Sequence, residues 1–486
     1  MSSHVKEVPL LIGGQWVTES EVPQGTILNP ADGRPLAQVP LCGPAQVDRA
    51  VAAAKAAYPT WSQVPPVERA RYLFRYRALL DQHFEAIARL IATEHGKTVA
   101  DARGSLRRGL EVVEFACGIP TLLMGQALEN IARDIDGSLI RQPLGVVAGI
   151  TPFNFPAMIP LWMIPLAIAS GNTFVLKPSP RVPLTAVRLL ELLQEAGLPD
   201  GVVNLVHGDK PAVDAILAHP DIKAVSFVGS SPVARYVYET GAAHGKRVQA
   251  LGGAKNFLTV MPDADLEKTV HGVIESAFGS GGQRCLAASV VLAVGSVGDK
   301  LVDRLVTVAR EYAVGDGLAE ATRMGPLNSP AGRDRVVEYI DRGLRAGAKL
   351  VLDGRDPAIM GRAGGCYVAP TIFDYVPPES DLARDEIFGP LLSVIRVKDL
   401  EEAIAVVNAS RYGNTSSIFT RDGLAARTYV SRVDAGMMGV NVGVAGPMAF
   451  FSFGGHKESF FGDLRVHGMD GVRFYTSVKS VTTRWF

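Results

Sequence analysis

The feature that most restricts how this chain can fold is an alternation of short apolar runs and helical patterns from Gly145 to Leu251. Gly145 to Ile150, Thr173 to Leu176, Val202 to Val206, Ala224 to Val228 and Val248 to Leu251 read as strands. Met158 to Ala169, Ala186 to Ala196, Lys210 to Ala218 and Pro232 to His244 carry helical spacing between them. Strands this apolar need cover on both faces, so the series predicts a parallel sheet with helices above and below. Such sheets take their ligands at the carboxyl ends of the strands. Those ends hold Thr151 to Asn154, Lys177, His207-Gly208 and Gly229-Ser230, all polar or turn-forming stretches.

The flanks fit around this unit. Leu10 to Trp16 suggests a hairpin about a Gly-Gly pair, and Asn29 to Gly33 is strong turn chemistry. Val47, Val51, Ala54 and Tyr58 begin a helical spacing that runs from Ala45 to about Glu94, and Asp101 to Gly125 reads as a further helix carrying Arg107 and Arg108. A second αβ unit spans about Asn256 to Pro447, with helices at Val336 to Ala346 and Leu400 to Asn408, a strand at Leu350 to Leu352 and a loop at Ala363 to Pro370. The tail, Phe474 to Phe486, alternates β-branched residues as an exposed strand in search of a partner would.

Charge and cysteine usage exclude several classes of function. The chain carries 49 Lys+Arg against 49 Asp+Glu, so it lacks the basic footprint of a nucleic-acid or anionic-membrane binder. Cys42, Cys117, Cys285 and Cys366 are far apart, and no Cys/His cluster suggests a metal site. Scattered cysteines suit a reducing compartment. The first residues lack the apolar core of a signal peptide, and no apolar stretch has the length of a membrane helix. The expectation is a soluble, cytoplasmic protein.

One cysteine stands apart. Cys285 follows a glycine-rich bend, F-G-S-G-G-Q-R-C from Phe278, with Gln283 and Arg284 directly before it. Such a bend brings main-chain N–H groups close to a ligand, and neighbouring positive charge favours the thiolate. The chemistry these residues allow is covalent catalysis by sulfur. Four further segments belong beside it. G-I-T-P-F-N-F-P (Gly149 to Pro156) places the Asn154 amide where it could stabilise an oxyanion. Lys177 ends a strand in L-K-P-S-P, F-V-G-S-S (Phe227 to Ser231) leads a strand into a helix N-terminus that suits a pyrophosphate, and E-I-F-G-P sets Glu386 beside an aromatic.

In this order and spacing the segments resemble the NAD(P)-dependent aldehyde dehydrogenase superfamily, over nearly the whole chain and including F-S-F-G-G-H-K-E-S (Phe451 to Ser459). The resemblance implies an α/β fold with a Rossmann-type cofactor domain (1–122 and 143–252), an α/β catalytic domain (253–447) and a small β oligomerisation element (123–142 and 463–486). It implies that Cys285 attacks an aldehyde, with Asn154 and the Cys285 N–H holding the oxyanion. It assigns NAD to Thr151, Phe153, Lys177, Arg181, Ser230, Glu386 and Phe388, and implies a homo-oligomer, a dimer of dimers.

Within the superfamily, the usual hydrolytic members carry E-L-G-G ahead of the catalytic segment. Here Q-A-L-G-G-A-K-N (Gln249 to Asn256) is expected to put Ala250 where that general base would stand. A-K-N, G-Q-R-C and the tail resemble the CoA-acylating methylmalonate-semialdehyde dehydrogenases. That resemblance implies coenzyme A as co-substrate, a semialdehyde as substrate, and Arg108 and Arg284 as the pair that binds its carboxylate, while Arg107 faces solvent. Paired guanidinium forks suit a carboxylate. Two departures stand out: Pro180 replaces a Glu that binds the adenosine ribose in many relatives, which leaves NADP open, and Ala234 replaces a glycine after the G-S pair. The alternatives are a CoA-independent enzyme that hydrolyses its thioester and a non-catalytic relative of the fold.

Overall fold

The computed structural model describes residues 6–355, 357, 359 and 364–486. Its centre is an eight-stranded sheet in the order Phe460–Phe461, Arg247–Leu251, Ile222–Val228, Val146–Ile150, Thr173–Lys177, Val203–Leu205, Leu10–Ile12, Gln15–Val17. The five strands expected from the alternation are its inner, mutually parallel members. Antiparallel edges are added by Phe460–Phe461 and by the hairpin Leu10–Ile12/Gln15–Val17, which turns at Gly13 and Gly14 as expected.

Strand alternation divides the side chains between two cores. Val146, Ala148, Ile150, Val175, Phe227 and Ala250 pack with Val47, Val51, Ile216 and Val237 from the helices Pro44–Gln63, Lys210–Ala218 and Ser231–Ala243. Val147, Phe174, Leu176 and Leu251 pack on the opposite side, with Leu110, Met163 and Leu189 from the helices Val99–Cys117, Met158–Ala169 and Pro183–Glu195. Cys285 packs against this second core.

That division separates two neighbours on one strand. Ala250, expected where a general base would stand, has its methyl group buried in the first core. Leu251 is the residue that the strand turns toward the core holding Cys285. Successive residues of a strand point to opposite faces. Gln249 shares the Leu251 face, but its amide is committed to Ser226 Oγ (2.8 Å) and Leu464 O (2.8 Å). Leucine has no proton to exchange, so neither residue is a base.

The second unit is a seven-stranded sheet, Lys349–Leu352, Thr371–Asp374, Leu391–Val397, Ala288–Val294, Asn256–Val260, Thr415–Phe419, Met437–Val440, parallel but for its first pair. The expected helices are found at Pro330–Arg345 and Leu400–Ala409. Of the expected loop at Ala363 to Pro370, residues 364–370 form neither helix nor strand, and Ala363 lies outside the described residues.

The tail does find a partner, and it lies within the chain. Thr476–Arg484 pairs antiparallel with Ile135–Pro143, which pairs in turn with Gln126–Ala132. This three-stranded sheet leaves every residue of Gln126–Ala132 exposed, and its last member offers a free edge. No described helix is long and apolar enough to cross a membrane.

Candidate active site

Cys285 lies between the two large sheets, where the glycine bend enters the strand Ala288–Val294. The bend Gly279–Gly282 is a tight turn in which Ser280, Gly281 and Gly282 all adopt left-handed backbone (φ 51°, 62° and 69°). Gly282 also tolerates no Cβ, since one would lie 2.2 Å from the Gly389 carbonyl oxygen. The bend is therefore pressed against the E-I-F-G loop, and two segments remote in sequence meet. The Cys285 carbonyl accepts amide N–H groups from Asn256 (2.9 Å) and Asn414 (2.8 Å). Asn256, the asparagine of A-K-N, thus clamps the backbone that carries the sulfur.

The Cys285 thiol is pushed up to about 12, first by burial and then by the Glu386 carboxylate. Its own N–H, the Arg284 charge and the Leu286 N–H act in the opposite direction. The free protein therefore holds Cys285 as a thiol at neutral pH.

A cavity of about 330 Å³ opens beside the sulfur. Cys285, Arg284, Arg108, Asp101, Phe155, Trp162, Phe453 and His467 are among its lining residues. Both candidate carboxylate-binding arginines are therefore in one chamber with the cysteine, and both already hold a carboxylate. Arg284 is ion-paired with Asp101 at a largely buried site, while Arg108 bonds Glu111 at 3.1 Å and is more exposed. Arg107 faces outward against Asp81 and the Phe84 ring, as expected.

Asn154 donates Nδ2–H to the Gln283 carbonyl at 3.1 Å, so it is joined to the turn of chain that carries Cys285. Its own carbonyl accepts a bond from Lys97 Nζ at 2.6 Å, and Lys97 sits 4.2 Å over the Phe155 ring. Burial brings Lys97 down to about 7. Lys97 was not singled out in the sequence, where nothing separates it from a solvated lysine.

The remaining candidates form a second group. Glu386 and Phe388 line a recess with Gly282, Arg284 and Lys255. Glu386 accepts a bond from the Ala254 N–H (2.9 Å), and burial raises its carboxyl to about 7. Gly253 is packed against it, for a Cβ there would lie 2.4 Å from Glu386 Oε2. Phe388, at φ 61°, meets the Phe153 ring edge-on at 5.8 Å, and Arg181 lies 5.2 Å over that ring's centroid. Lys177 Nζ donates to Gly208 O (2.8 Å) and Pro178 O (3.1 Å). The Thr151 N–H donates to Lys177 O (3.1 Å), while the Thr151 hydroxyl is buried without a partner. Ser230 is exposed at the N-cap of Ser231–Ala243. All lie where the parallel strands of the first sheet end. Among the described residues no group of His, Cys, Asp and Glu is arranged to hold a metal ion.

A cysteine on a glycine bend, an asparagine amide tied to it and a strand-end cleft beside it also describe known proteins. Residues 16–481 match the model of the aldehyde dehydrogenase family. The chain belongs to that family. It is 54% identical over 486 residues, with full coverage of both chains, to malonate-semialdehyde dehydrogenase 1 of Geobacillus thermodenitrificans. Among solved structures it is similar to a methylmalonate-semialdehyde dehydrogenase from Oceanimonas doudoroffii, with a TM-score of 0.98 and 48% identity over 99% of each chain. A protein of Sinorhizobium meliloti 1021 described by the same activity, solved in complex with NAD, gives a TM-score of 0.98 and 47% identity, covering 100% of this chain and 99% of that one. As a member of the aldehyde dehydrogenase family the chain is an oxidoreductase.

Proposed function

We propose that this aldehyde dehydrogenase oxidises malonate or methylmalonate semialdehyde and transfers the acyl group to coenzyme A, giving acetyl-CoA or propionyl-CoA, CO2 and NADH. The observation that carries this reading is the shared cavity, which sets Arg108 and Arg284 in one chamber with Cys285. A substrate with an aldehyde at one end and a carboxylate at the other suits a chamber lined by both a sulfur and guanidinium groups. The activities named for the relatives support the same substrate class.

The residues of the cleft fit a dinucleotide. Ser230 presents a helix N-terminus to a pyrophosphate, Lys177 and Glu386 offer a cation and a carboxylate to ribose hydroxyls, and the orphaned Thr151 hydroxyl needs a partner. Phe153, Phe388 and Arg181 wall the space between. When bound, NAD supplies the hydride acceptor. Pro180 keeps NADP in play, because it removes a carboxylate that would repel a 2′-phosphate.

The steps assigned to the chain itself are few. Once its thiol proton has left to solvent, the Cys285 thiolate attacks the aldehyde carbon, and the Asn154 amide with the Cys285 N–H bears the negative oxygen. Loss of hydride leaves a thioester on the sulfur. Leu251 and Gln249 offer no base to activate water from their strand, whereas CoA brings its own thiolate. The carboxylate is β to the thioester carbonyl, so the electrons of the departing CO2 enter an enolate.

The proposed organisation is a cofactor domain over 1–122 and 143–252, a catalytic domain over 253–447 and an oligomerisation element over 123–142 and 463–486, in a cytoplasmic homo-oligomer. The test of function is NADH formation from malonate semialdehyde with and without CoA. Fast sustained turnover only with CoA is the expected result, and equal turnover without it overturns the CoA assignment.

A further inference from the structure

His467 is the least explained residue of the cavity. It lines the chamber of Cys285 and Arg108, is 4% exposed, and neither of its ring nitrogens has a hydrogen-bond partner. Buried polar atoms are almost always paired, so two orphaned nitrogens on one ring require a reason. The backbone requires one too. His467 adopts φ 70° and ψ 169°, a region that is essentially the preserve of glycine. A side chain kept at such a position is held there by what it does or by what it packs against.

Packing accounts for the ring but not for its nitrogens. The imidazole meets Trp162 edge-on at 4.4 Å and lies 5.6 Å from Phe453, and a phenyl ring would serve equally well there. Burial and the Arg108 charge bring the imidazole down to about 3, so it is neutral and carries one N–H and one lone pair. Arg108 and His467 thus line the same enclosed space, one with a guanidinium and the other with a ring whose N–H is covered and uncommitted.

We infer that His467 is a specificity-determining residue whose ring turns toward the cavity on substrate binding and donates its N–H to the substrate carboxylate beside Arg108. This rests on the reading of a carboxylated aldehyde as substrate and extends it to a residue that no part of the sequence pattern marks. The bound carboxylate satisfies the orphaned donor, and a substrate that lacks it leaves that donor buried and unpaired. A site built to hydrogen-bond a substrate rejects the analogue that lacks the group.

The test compares kcat/KM for malonate semialdehyde with that for propanal, each with CoA, in the natural protein and in His467→Phe and His467→Asn. Phenylalanine keeps the ring packing and removes the donor, while asparagine keeps a donor on a shorter side chain. The expected result is a fall of roughly tenfold to thirtyfold in the malonate semialdehyde/propanal ratio for His467→Phe, mostly through KM, and a smaller fall for His467→Asn. If His467→Phe does not fold, His467→Gly, which suits the backbone without strain, must show the same fall. An unchanged ratio in every folded variant overturns the inference while leaving the function standing. A natural protein that shows no preference for malonate semialdehyde overturns both.

Discussion

Asp101, in the first turn of the helix Val99–Cys117, is ion-paired with Arg284, the residue directly before Cys285. The same carboxylate accepts the Ser280 N–H at 3.0 Å and the Thr98 hydroxyl at 3.1 Å. A helix of the first unit is thereby fastened to the bend that carries the sulfur. The side chains of the pair are 20% and 15% exposed, whereas Arg108 and Glu111 are 47% and 23% exposed.

The two arginines should therefore fail differently. Arg284→Leu strands the Asp101 carboxylate in a largely buried site, which costs about 3–5 kcal/mol when a buried pair is broken. It should lower Tm and depress turnover of both substrates, malonate semialdehyde more than propanal. Arg108→Leu should leave Tm nearly unchanged and raise KM for malonate semialdehyde roughly tenfold to a hundredfold, as loss of a charge-assisted bond of about 1.5–3 kcal/mol implies. Propanal kinetics should barely move. Thermal melts and two-substrate kinetics on both variants decide it. A pair of variants with matching profiles would contradict the distinction.

Leu251 and Ala250 offer a second contrast. Leu251→Glu buries a carboxylate in the core that Cys285 packs against, so the folded enzyme should gain CoA-free turnover and melt earlier. Ala250→Glu drives the same group into the apolar core of the opposite face, and the protein should express poorly or melt early. In the natural protein, rapid mixing without CoA should give a burst of about one NADH per site and then slow release, as accumulation of an acyl-enzyme requires. Absence of a burst would mean that acylation, not deacylation, limits the rate.

The reactivity of Cys285 gives a pH test. Burial and Glu386 both raise the thiol, so the thiolate fraction at neutral pH is small and grows as pH rises. Carbamidomethylation of Cys285 in the cofactor-free protein should quicken about tenfold per pH unit from pH 7 to 9 without levelling off. Glu386→Gln removes a negative neighbour, which lowers the thiol and should speed alkylation at pH 8. Slower alkylation in that variant would reverse the sign. Cys285→Ala, run as the control, should abolish dehydrogenase activity while NAD still binds.

Removal of the residues after Tyr475 should disturb assembly. Without Thr476–Arg484 the strand Ile135–Pro143 loses its longest partner, and the exposed sheet that includes Leu128 and Ile131 unravels. Light scattering should report smaller particles or aggregates. An unchanged mass would show that the sheet has no part in assembly.

Local chemistry made much of this protein legible from the chain alone. The apolar strand runs, the helical spacing of Met158–Ala169 and Lys210–Ala218, and the Gly13-Gly14 hairpin are set by short-range preferences, and each element lies where the pattern puts it. The cysteine on its glycine bend was visible for the same reason, since a bend of that kind has a residue signature. What the tertiary structure alone decided depends on faces and on distant neighbours. Ala250 and Leu251 are adjacent, and only the packed sheet shows which core each of them enters. Nothing near Asp101, Lys97 or Asn414 in sequence points to the segments they fasten around the sulfur. His467 is a histidine in a polar, glycine-rich tail until folding closes Trp162, Phe453 and Arg108 around it. Periodicity is a property of neighbours along the chain, whereas a site is a property of neighbours in space.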